Sequence, residues 1–171
     1  MIETKSIRSV TPELIAFIEE CTRLGFKNNN SLETMNFHKN LNNGGSWFIT
    51  TVNNVIVGLS GVESFRDGFR ALYRGCQLYS RPGGLSKNHM NCWMFYYHLP
   101  IVIDCAGDSP VYITTNVEND ASGYMVRLNK LYGILAKRCL VDHVEDTTLN
   151  GVRQNIWRLN KETYTMVRNK Q

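Results

Sequence analysis

The residues whose types and spacing most clearly suggest a chemical role lie in a glycine-rich loop between an apolar segment and a helix-like segment. Arg81, Gly84 and Ser86 stand in the spacing Arg-x-x-Gly-x-Ser, and Gly83 precedes the second of them. Glycines let backbone N–H groups approach a phosphate, a helix N-terminus adds a favourable dipole, and an arginine adds fixed positive charge. The pattern therefore indicates a pyrophosphate cradle. An ordinary turn around Pro82 is the alternative, because proline and glycine are common turn formers.

The elements that position this loop follow from hydrophobic spacing and turn residues. Period-two alternation predicts strands, apolar residues three and four apart predict helices, and Asn, Gly and Pro mark the ends. In chain order we predict a strand over 6–10, a helix from Pro12 to Gly25, a short helix over 31–39, strands over 46–52, 55–63 and 69–79, a helical stretch over 90–106, a strand over 111–115, a helix after Asp120, and strands over 140–145 and 152–159. For residues 93–97 a strand is the alternative, since short aromatic runs are ambiguous.

This order predicts an α/β fold of the α+β type, with a mixed, mostly antiparallel central sheet and helices on both faces. The helix between strands 69–79 and 111–115 implies a right-handed parallel crossover. Ligands of open α/β sheets gather at the carboxyl ends of parallel strands, and the Arg81 loop follows one such end. We expect residues 1–171 to form a single domain.

Composition limits the classes of function. The chain has 171 residues, 43% of them hydrophobic and 20% charged, which is ordinary for a globular domain. Its net charge of +4 suits a phosphorylated ligand but is too small to argue for nucleic acid by itself. Five cysteines are widely spread without a Cys-x-x-Cys pair, and no signal or membrane segment stands out. We expect reduced, mostly buried thiols, no membrane association and a cytoplasmic location.

The element order and the Arg81-x-x-Gly84-x-Ser86 loop together resemble the GNAT N-acetyltransferase superfamily, in which this loop binds the pyrophosphate of acetyl-CoA. The resemblance covers nearly the whole chain as an order of elements. It implies acetyl-CoA as co-substrate and an amine of a small molecule or peptide as acceptor. The cofactor contacts it implies are Leu78, Tyr79, Arg81, Gly83, Gly84, Ser86 and Asn119.

The resemblance also implies an acid and a base. In the family, a helix tyrosine seven residues after the asparagine protonates the departing thiolate, but here Val126 holds that position after Asn119. Tyr124 is the nearest tyrosine and our candidate acid, although two residues turn a helix by about 200°. Glu63, which ends a neighbouring predicted strand, is the candidate base, and a solvated strand-end carboxylate is the alternative.

Other side chains leave alternatives open. Tyr132 or water could replace Tyr124 as the acid, and His143 could serve as base or shuttle. Asp67 reads as a turn residue, and no Cys/His spacing predicts a metal site.

Two other classes of function compete with an acyltransferase. The first is a non-catalytic relative that keeps the fold and the CoA site, which Val126 favours. The second is nucleic-acid binding through the arginines 66, 70, 74 and 81, because residues 66, 70 and 74 of a strand share one face. A solvated sheet face explains the same arginines.

Overall fold

The computed structural model describes residues 1–24, 37–75, 94–117 and 124–170. Within these ranges the elements are β1 Ile2–Ile7, α1 Pro12–Leu24, α2 Phe37–Asn42, β2 Ser46–Val52, β3 Val55–Phe65, β4 Gly68–Gly75, a π-helical turn Met94–His98 that leads into α3 Leu99–Ala106, β5 Val111–Asn116, α4 Tyr124–Lys137, β6 Val141–Leu149, β7 Val152–Leu159 and α5 Lys161–Asn169.

The seven strands form one sheet in the order β1-β2-β3-β4-β5-β7-β6. β1 with β2, β2 with β3, β5 with β7 and β6 with β7 are antiparallel pairs, whereas β4 and β5 are parallel. The prediction of a mixed, mostly antiparallel sheet is thus confirmed. Within the chain two compact units are distinguishable, one of residues 1–64 with 71–107 and one of residues 65–70 with 108–171.

The first unit has an apolar core on one face of β2 and β3. Trp47, Ile49 and Leu59 pack there against α1 and α2, and the rings of Phe37 and Trp47 stack with centroids 5.1 Å apart. Ser60 follows Leu59 in β3 and so points to the opposite face, where it contacts His98 at the start of α3. Helices therefore lie on both faces of this part of the sheet, as predicted.

The second unit buries the strands β5 and β7 together with one face of α4. Ile113, Ile156 and Trp157 are buried in the strands, and Leu128 and Tyr132 are buried on the helix. The rings of Tyr132 and Trp157 stack with centroids 5.7 Å apart. Leu128 and Tyr132, four residues apart, therefore lie on the face of the helix that packs on the sheet.

Local turn chemistry ends the strands where the sequence predicts. Asn53 and Asn54 connect β2 and β3 with φ of 49° and 66°, and Asn150 and Gly151 connect β6 and β7 with φ of 51° and 78°. These left-handed conformations match the twist of a two-residue hairpin, which is why Asn and Gly occur there.

The structure corrects three boundaries. The first strand is Ile2–Ile7 and not 6–10, and the strand predicted over 140–145 extends to Leu149. The helix predicted over 31–39 continues to Asn42, and its residues 31–36 lie outside the described part of the chain. β1 was misplaced because its residues are exposed on both faces, so hydrophobic alternation does not mark it.

A C-terminal helix, α5, was not predicted. The side chain of Asn160 accepts a hydrogen bond from Thr163 N at 3.1 Å, which caps the helix. Tyr164 is buried and anchors it. An asparagine cap followed by Glu162 in the first turn was the available signal.

Two of the five cysteines have described side chains. Cys105 is half-buried and Cys139 is exposed, and both are free thiols. The expectation of mostly buried thiols is wrong for Cys139, which lies in the turn after α4 with a φ of 61°. No helix in the described ranges is long and apolar enough to span a membrane.

Candidate functional site

The predicted cofactor contacts fall outside the part of the chain that the structure describes. Between β4 and the π-helical turn these are Leu78, Tyr79, Arg81, Gly83, Gly84 and Ser86, and between β5 and α4 the contact is Asn119. Their roles stay predictions.

The two candidate catalytic residues lie within described elements. Glu63 is half-buried near the end of β3, and its parity with Leu59 and Gly61 puts it on the face that α1 and α2 cover. Tyr124 is the first residue of α4, and Val126, two residues later, is 42% exposed. No described contact tests the predicted role of either residue.

In the second unit, β4 and β5 form a parallel strand pair. Phe69 pairs with Val111 and Arg70 with Tyr112, and Phe69 N donates to the Pro110 carbonyl oxygen at 2.9 Å. A Cβ on Gly68 would overlap that same carbonyl, so only glycine allows the strands to approach this closely here. The predicted parallel pair is confirmed.

Hydrogen bonds fasten the carboxyl end of β5 to α4. The Thr115 hydroxyl donates to Asn129 Oδ1 at 2.7 Å, and Asn129 Nδ2 donates to the Asn116 carbonyl oxygen at 2.8 Å. Asn155 Nδ2, from β7, donates to the same Asn129 oxygen at 2.9 Å. One amide side chain on α4 thus holds the last two residues of β5 and the neighbouring strand.

Two aromatic side chains, Trp157 and Tyr132, pack against the Thr115 end of this network. The Trp157 indole N–H donates to Thr115 Oγ1 at 2.9 Å, and Tyr132 stacks on the same indole. Tyr132 is only 2% exposed, so it is a core tyrosine.

The exposed end of the network is a histidine. His143 Nε2 lies 2.9 Å from Asn155 Oδ1, and its ring meets Trp157 edge-on with centroids 4.9 Å apart. Because the Asn155 amide nitrogen already donates to Asn129, its oxygen accepts, and Nε2 of His143 carries the hydrogen. Amides hold neighbouring groups in place but pass protons on poorly. The network therefore positions the end of β5 rather than relaying protons.

A second polar cluster lies at the amino ends of β4 and β5, the opposite end from the network. The Tyr112 hydroxyl donates to Asp67 Oδ1 at 2.5 Å, and this hydrogen bond, with burial, raises the pKa of Tyr112. Arg66 pairs with Glu145 and lies with Arg70 over the Phe65 ring. Asp67 is a turn residue, as predicted, and it also anchors β5.

These contacts bear on the prediction that the arginines 66, 70 and 74 share one face of a strand. Arg66 lies in the turn between β3 and β4 with a φ of 50°, not within a strand, and its charge is balanced by Glu145. The second unit therefore does not present Arg66 and Arg70 as a regular strand face.

One imidazole is buried among the residues of the first unit that the structure describes. His98 Nδ1 and Ser60 Oγ are 2.9 Å apart, and both side chains are buried. Burial penalises the charged ring and lowers the pKa of His98 to about 3. His98 is neutral at physiological pH. Among the residues described, no three His, Cys, Asp or Glu side chains are grouped as metal ligands.

Solved structures share this arrangement of strands and helices. An aminoglycoside N(6′)-acetyltransferase from Legionella pneumophila is 10% identical, covers 97% of this chain and 95% of its own, and gives a TM-score of 0.59. The ribosomal-protein-S18-alanine N-acetyltransferase from Escherichia coli is 11% identical with 93% of each chain covered and a TM-score of 0.56. An acetyltransferase of the GNAT family from Streptococcus pneumoniae is 10% identical, covers 92% of this chain and 98% of its own, and gives 0.54.

The chain has the GNAT fold. The aligned sequences share about a tenth of their residues over nearly their whole length, so the likeness is one of fold. No family model matches the chain, and no curated protein matches it in sequence. The GNAT fold expected from the element order and the Arg81 loop is confirmed.

Sequence reasoning missed the residues that connect β5 to α4. Thr115, Asn129 and Asn155 are ordinary polar residues whose separations of 14 and 26 positions carry no periodic signal. The available hint was a run of three polar residues, 114–116, at the end of a strand that begins with apolar residues.

Proposed function

We propose that the protein is an acyl-CoA-dependent N-acyltransferase that acts in the cytoplasm and transfers an acetyl group from acetyl-CoA to a primary amine. The observation that carries the proposal is the seven-stranded sheet with its parallel pair of β4 and β5, in a fold that N-acetyltransferase structures match over more than nine tenths of both chains. The names of two of those neighbours specify an aminoglycoside and a protein alanine as acceptors. This supports an amine of a small molecule or peptide here.

The proposed reaction is direct transfer. The amine nitrogen attacks the thioester carbonyl and forms the C–N bond of the amide. The C–S bond breaks, and the departing CoA thiolate takes up a proton. Glu63 accepts the proton that the amine loses, and Tyr124 or water supplies the proton to the thiolate. The cofactor is held through backbone groups of Leu78 and Tyr79, through the side chain of Asn119, and by the loop residues Arg81, Gly83, Gly84 and Ser86.

A CoA-binding protein without catalysis is the second candidate. One observation favours it: Val126 is an exposed aliphatic side chain at the helix position where the family carries its tyrosine acid. Such a protein binds CoA and transfers nothing.

Ligand binding separates these proposals from a chain that has only the fold. We expect CoA and acetyl-CoA to raise the melting temperature, and S-adenosylmethionine and nucleotides to leave it unchanged, because a ligand of the folded state stabilises it by mass action. Gly84→Val should abolish the shift, since its side chain fills the phosphate position. Gly133→Ala is the matched control, because a Cβ there meets nothing within 4 Å. If CoA and acetyl-CoA do not raise the melting temperature of the parent protein, both candidate functions are contradicted.

Turnover separates the enzyme from the silent binder. Release of free CoA thiol from acetyl-CoA is measured against a panel of aminoglycosides, polyamines and peptides. Tyr124→Phe should lower turnover by roughly ten- to a thousandfold with acetyl-CoA affinity unchanged, the scale expected for a lost general acid. A parent that binds CoA but acetylates no amine supports the second candidate.

A further inference from the structure

The strand β1 forms an open edge of the sheet. Among the strands in the described ranges it stands at the end of the order, next to β2 only. Residues Ile2–Ser6 are exposed, and only Ile7 is half-buried. An edge strand presents unpaired N–H and C=O groups, which another strand can take up.

The hydrogen-bond pattern shows which backbone groups point outward. Asn53 N donates to the Met1 carbonyl oxygen at 3.0 Å, so this pair is hydrogen-bonded across β1 and β2. In an antiparallel ladder the hydrogen-bonded pairs alternate, so Glu3 and Lys5 also direct their backbone groups toward β2. The N–H and C=O groups of Ile2, Thr4 and Ser6 therefore point away from the sheet.

The sequence of β1 is self-complementary in one register. If two copies pair antiparallel with Thr4 opposite Thr4 of the second copy, the outward groups of residues 2, 4 and 6 all find partners. Glu3 then faces Lys5 of the second copy, and Lys5 faces its Glu3. These are non-hydrogen-bonded pairs, in which side chains come closest.

The neighbouring registers bring like charges together. A shift of one residue per strand in one direction places Glu3 opposite Glu3, and a shift in the other direction places Lys5 opposite Lys5. Like charges directly opposite one another destabilise a strand pair. The charges therefore select the register centred on Thr4.

The other edge of the sheet lacks this property. β6 carries Asp142, Glu145 and Asp146, and a register irregularity between His143 and Glu145 interrupts its pairing with β7. Acidic residues and bulges are devices that keep an edge strand from pairing with another chain. Of the two edges, β1 is the one suited to a second copy.

We propose that β1 pairs antiparallel with β1 of a second copy, which gives a two-fold symmetric dimer with Thr4 on the axis and reciprocal Glu3–Lys5 contacts. This inference is independent of the proposed acyltransferase activity. The interface is a single six-residue strand, so the dimer is a weak one that forms with rising protein concentration.

Charge reversal with the full chain, tagged only at its C-terminus, tests the proposal by sedimentation over a concentration series. Glu3→Lys and Lys5→Glu should each raise the dimer dissociation constant at least about tenfold, because two attractive pairs become repulsive. The double variant Glu3→Lys/Lys5→Glu should recover the parent value. An equimolar mixture of the two single variants should form a heterodimer, since their charges again complement each other.

Matched controls carry the same changes of charge elsewhere. Glu13 on α1 and Lys130 on α4 are both exposed. The substitutions Glu13→Lys and Lys130→Glu should leave the dimer dissociation constant unchanged. Thr4→Pro should abolish dimerisation while circular dichroism keeps its parent form, because the N–H it removes points away from β2. A parent that is monomeric throughout, single reversals without effect, or a mixture that does not associate would each overturn the proposal.

Discussion

Two histidines, one in each unit, show how burial changes the meaning of the same contact. His98 in the first unit lies 2.9 Å from Ser60 Oγ, and His143 in the second lies 2.9 Å from Asn155 Oδ1. Both imidazoles thus have a neutral oxygen partner at the same distance. His98 is 2% exposed, whereas water reaches the ring of His143.

The difference teaches that burial, and not the identity of the hydrogen-bond partner, decides how much a polar side chain of this molecule contributes to the free energy of unfolding. Burial keeps His98 neutral because a charged ring would lose its hydration. The polar contacts of the chain can be ranked on this basis, from the buried pair through the half-buried amide network to the exposed ion pairs. Four predictions test that ranking, in order of expected effect.

The largest effect is expected on acidification, through His98. Its pKa falls from 6.5 to about 3 on folding, so the folded state binds fewer protons than the unfolded chain between those values. The stability that neutral His98 contributes is present above pH 6.5 and is lost as the pH falls toward 3, at about 1.4 kcal/mol per unit. Urea unfolding of the parent and of His98→Gln at several pH values measures it. The gap between them should close on acidification.

Ser60→Ala is the control for the cause. It removes the hydroxyl but leaves the imidazole buried, so the pH dependence of the parent should persist at lower overall stability. If Ser60→Ala loses the dependence, the hydrogen bond and not burial governs His98.

The next effect is expected at Asn129. Asn129→Leu removes the partner of Thr115 and Asn155 and leaves the Asn116 carbonyl oxygen without that donor. We expect unfolding to become easier by about 2–4 kcal/mol, since several half-buried groups lose hydrogen bonds together. Lys130→Ala, the exposed neighbour, is the control and should stay within about 0.5 kcal/mol of the parent. Equal effects of the two variants would mean that the network adds no stability.

The element order was predictable because its signals are local. Asn53 and Asn54, Asn150 and Gly151, and the Thr11–Pro12 helix start each fix a boundary through backbone conformation or capping. The edge strand β1 was misplaced because its identity comes from pairing with β2, which no local pattern in an exposed strand records.

The described part of the site depends on contacts between distant residues. Asn129 meets Asn155 because α4 packs over β7, and an asparagine in an amphipathic helix looks like any other polar residue beforehand. The phosphate-binding role of the loop from Arg81 to Ser86 was inferred by contrast from glycine and arginine at fixed spacing, and it stays a prediction. Local turn and capping signals are readable from the sequence, whereas a network assembled by tertiary packing is not.

A smaller effect is expected at alkaline pH, through Tyr112. The hydrogen bond to Asp67, with burial, raises the pKa of Tyr112 above its ordinary value of 10.0. The stabilisation is complete below pH 10 and is lost as the pH rises through the folded-state pKa. Asp67→Asn should lower the pKa of Tyr112, followed by tyrosinate absorbance, and Tyr112→Phe should cost about 1 kcal/mol at neutral pH. An unchanged pKa in Asp67→Asn would contradict the assigned cause.

The smallest effect is expected at the exposed pair of Arg153 and Asp146. Two hydrogen bonds join them, from Nε at 3.0 Å and from Nη2 at 2.7 Å, and they lower the pKa of Asp146. Arg153→Met should return the pKa of Asp146 toward 3.8, followed by carboxyl NMR titration, while the melting temperature at neutral pH stays near that of the parent. Water solvates each charge once the partner is gone, so the titration changes and the stability does not. A drop in melting temperature as large as that of Asn129→Leu would break the ranking by burial, because an exposed pair would then stabilise the fold as much as the amide network that holds β5 to α4.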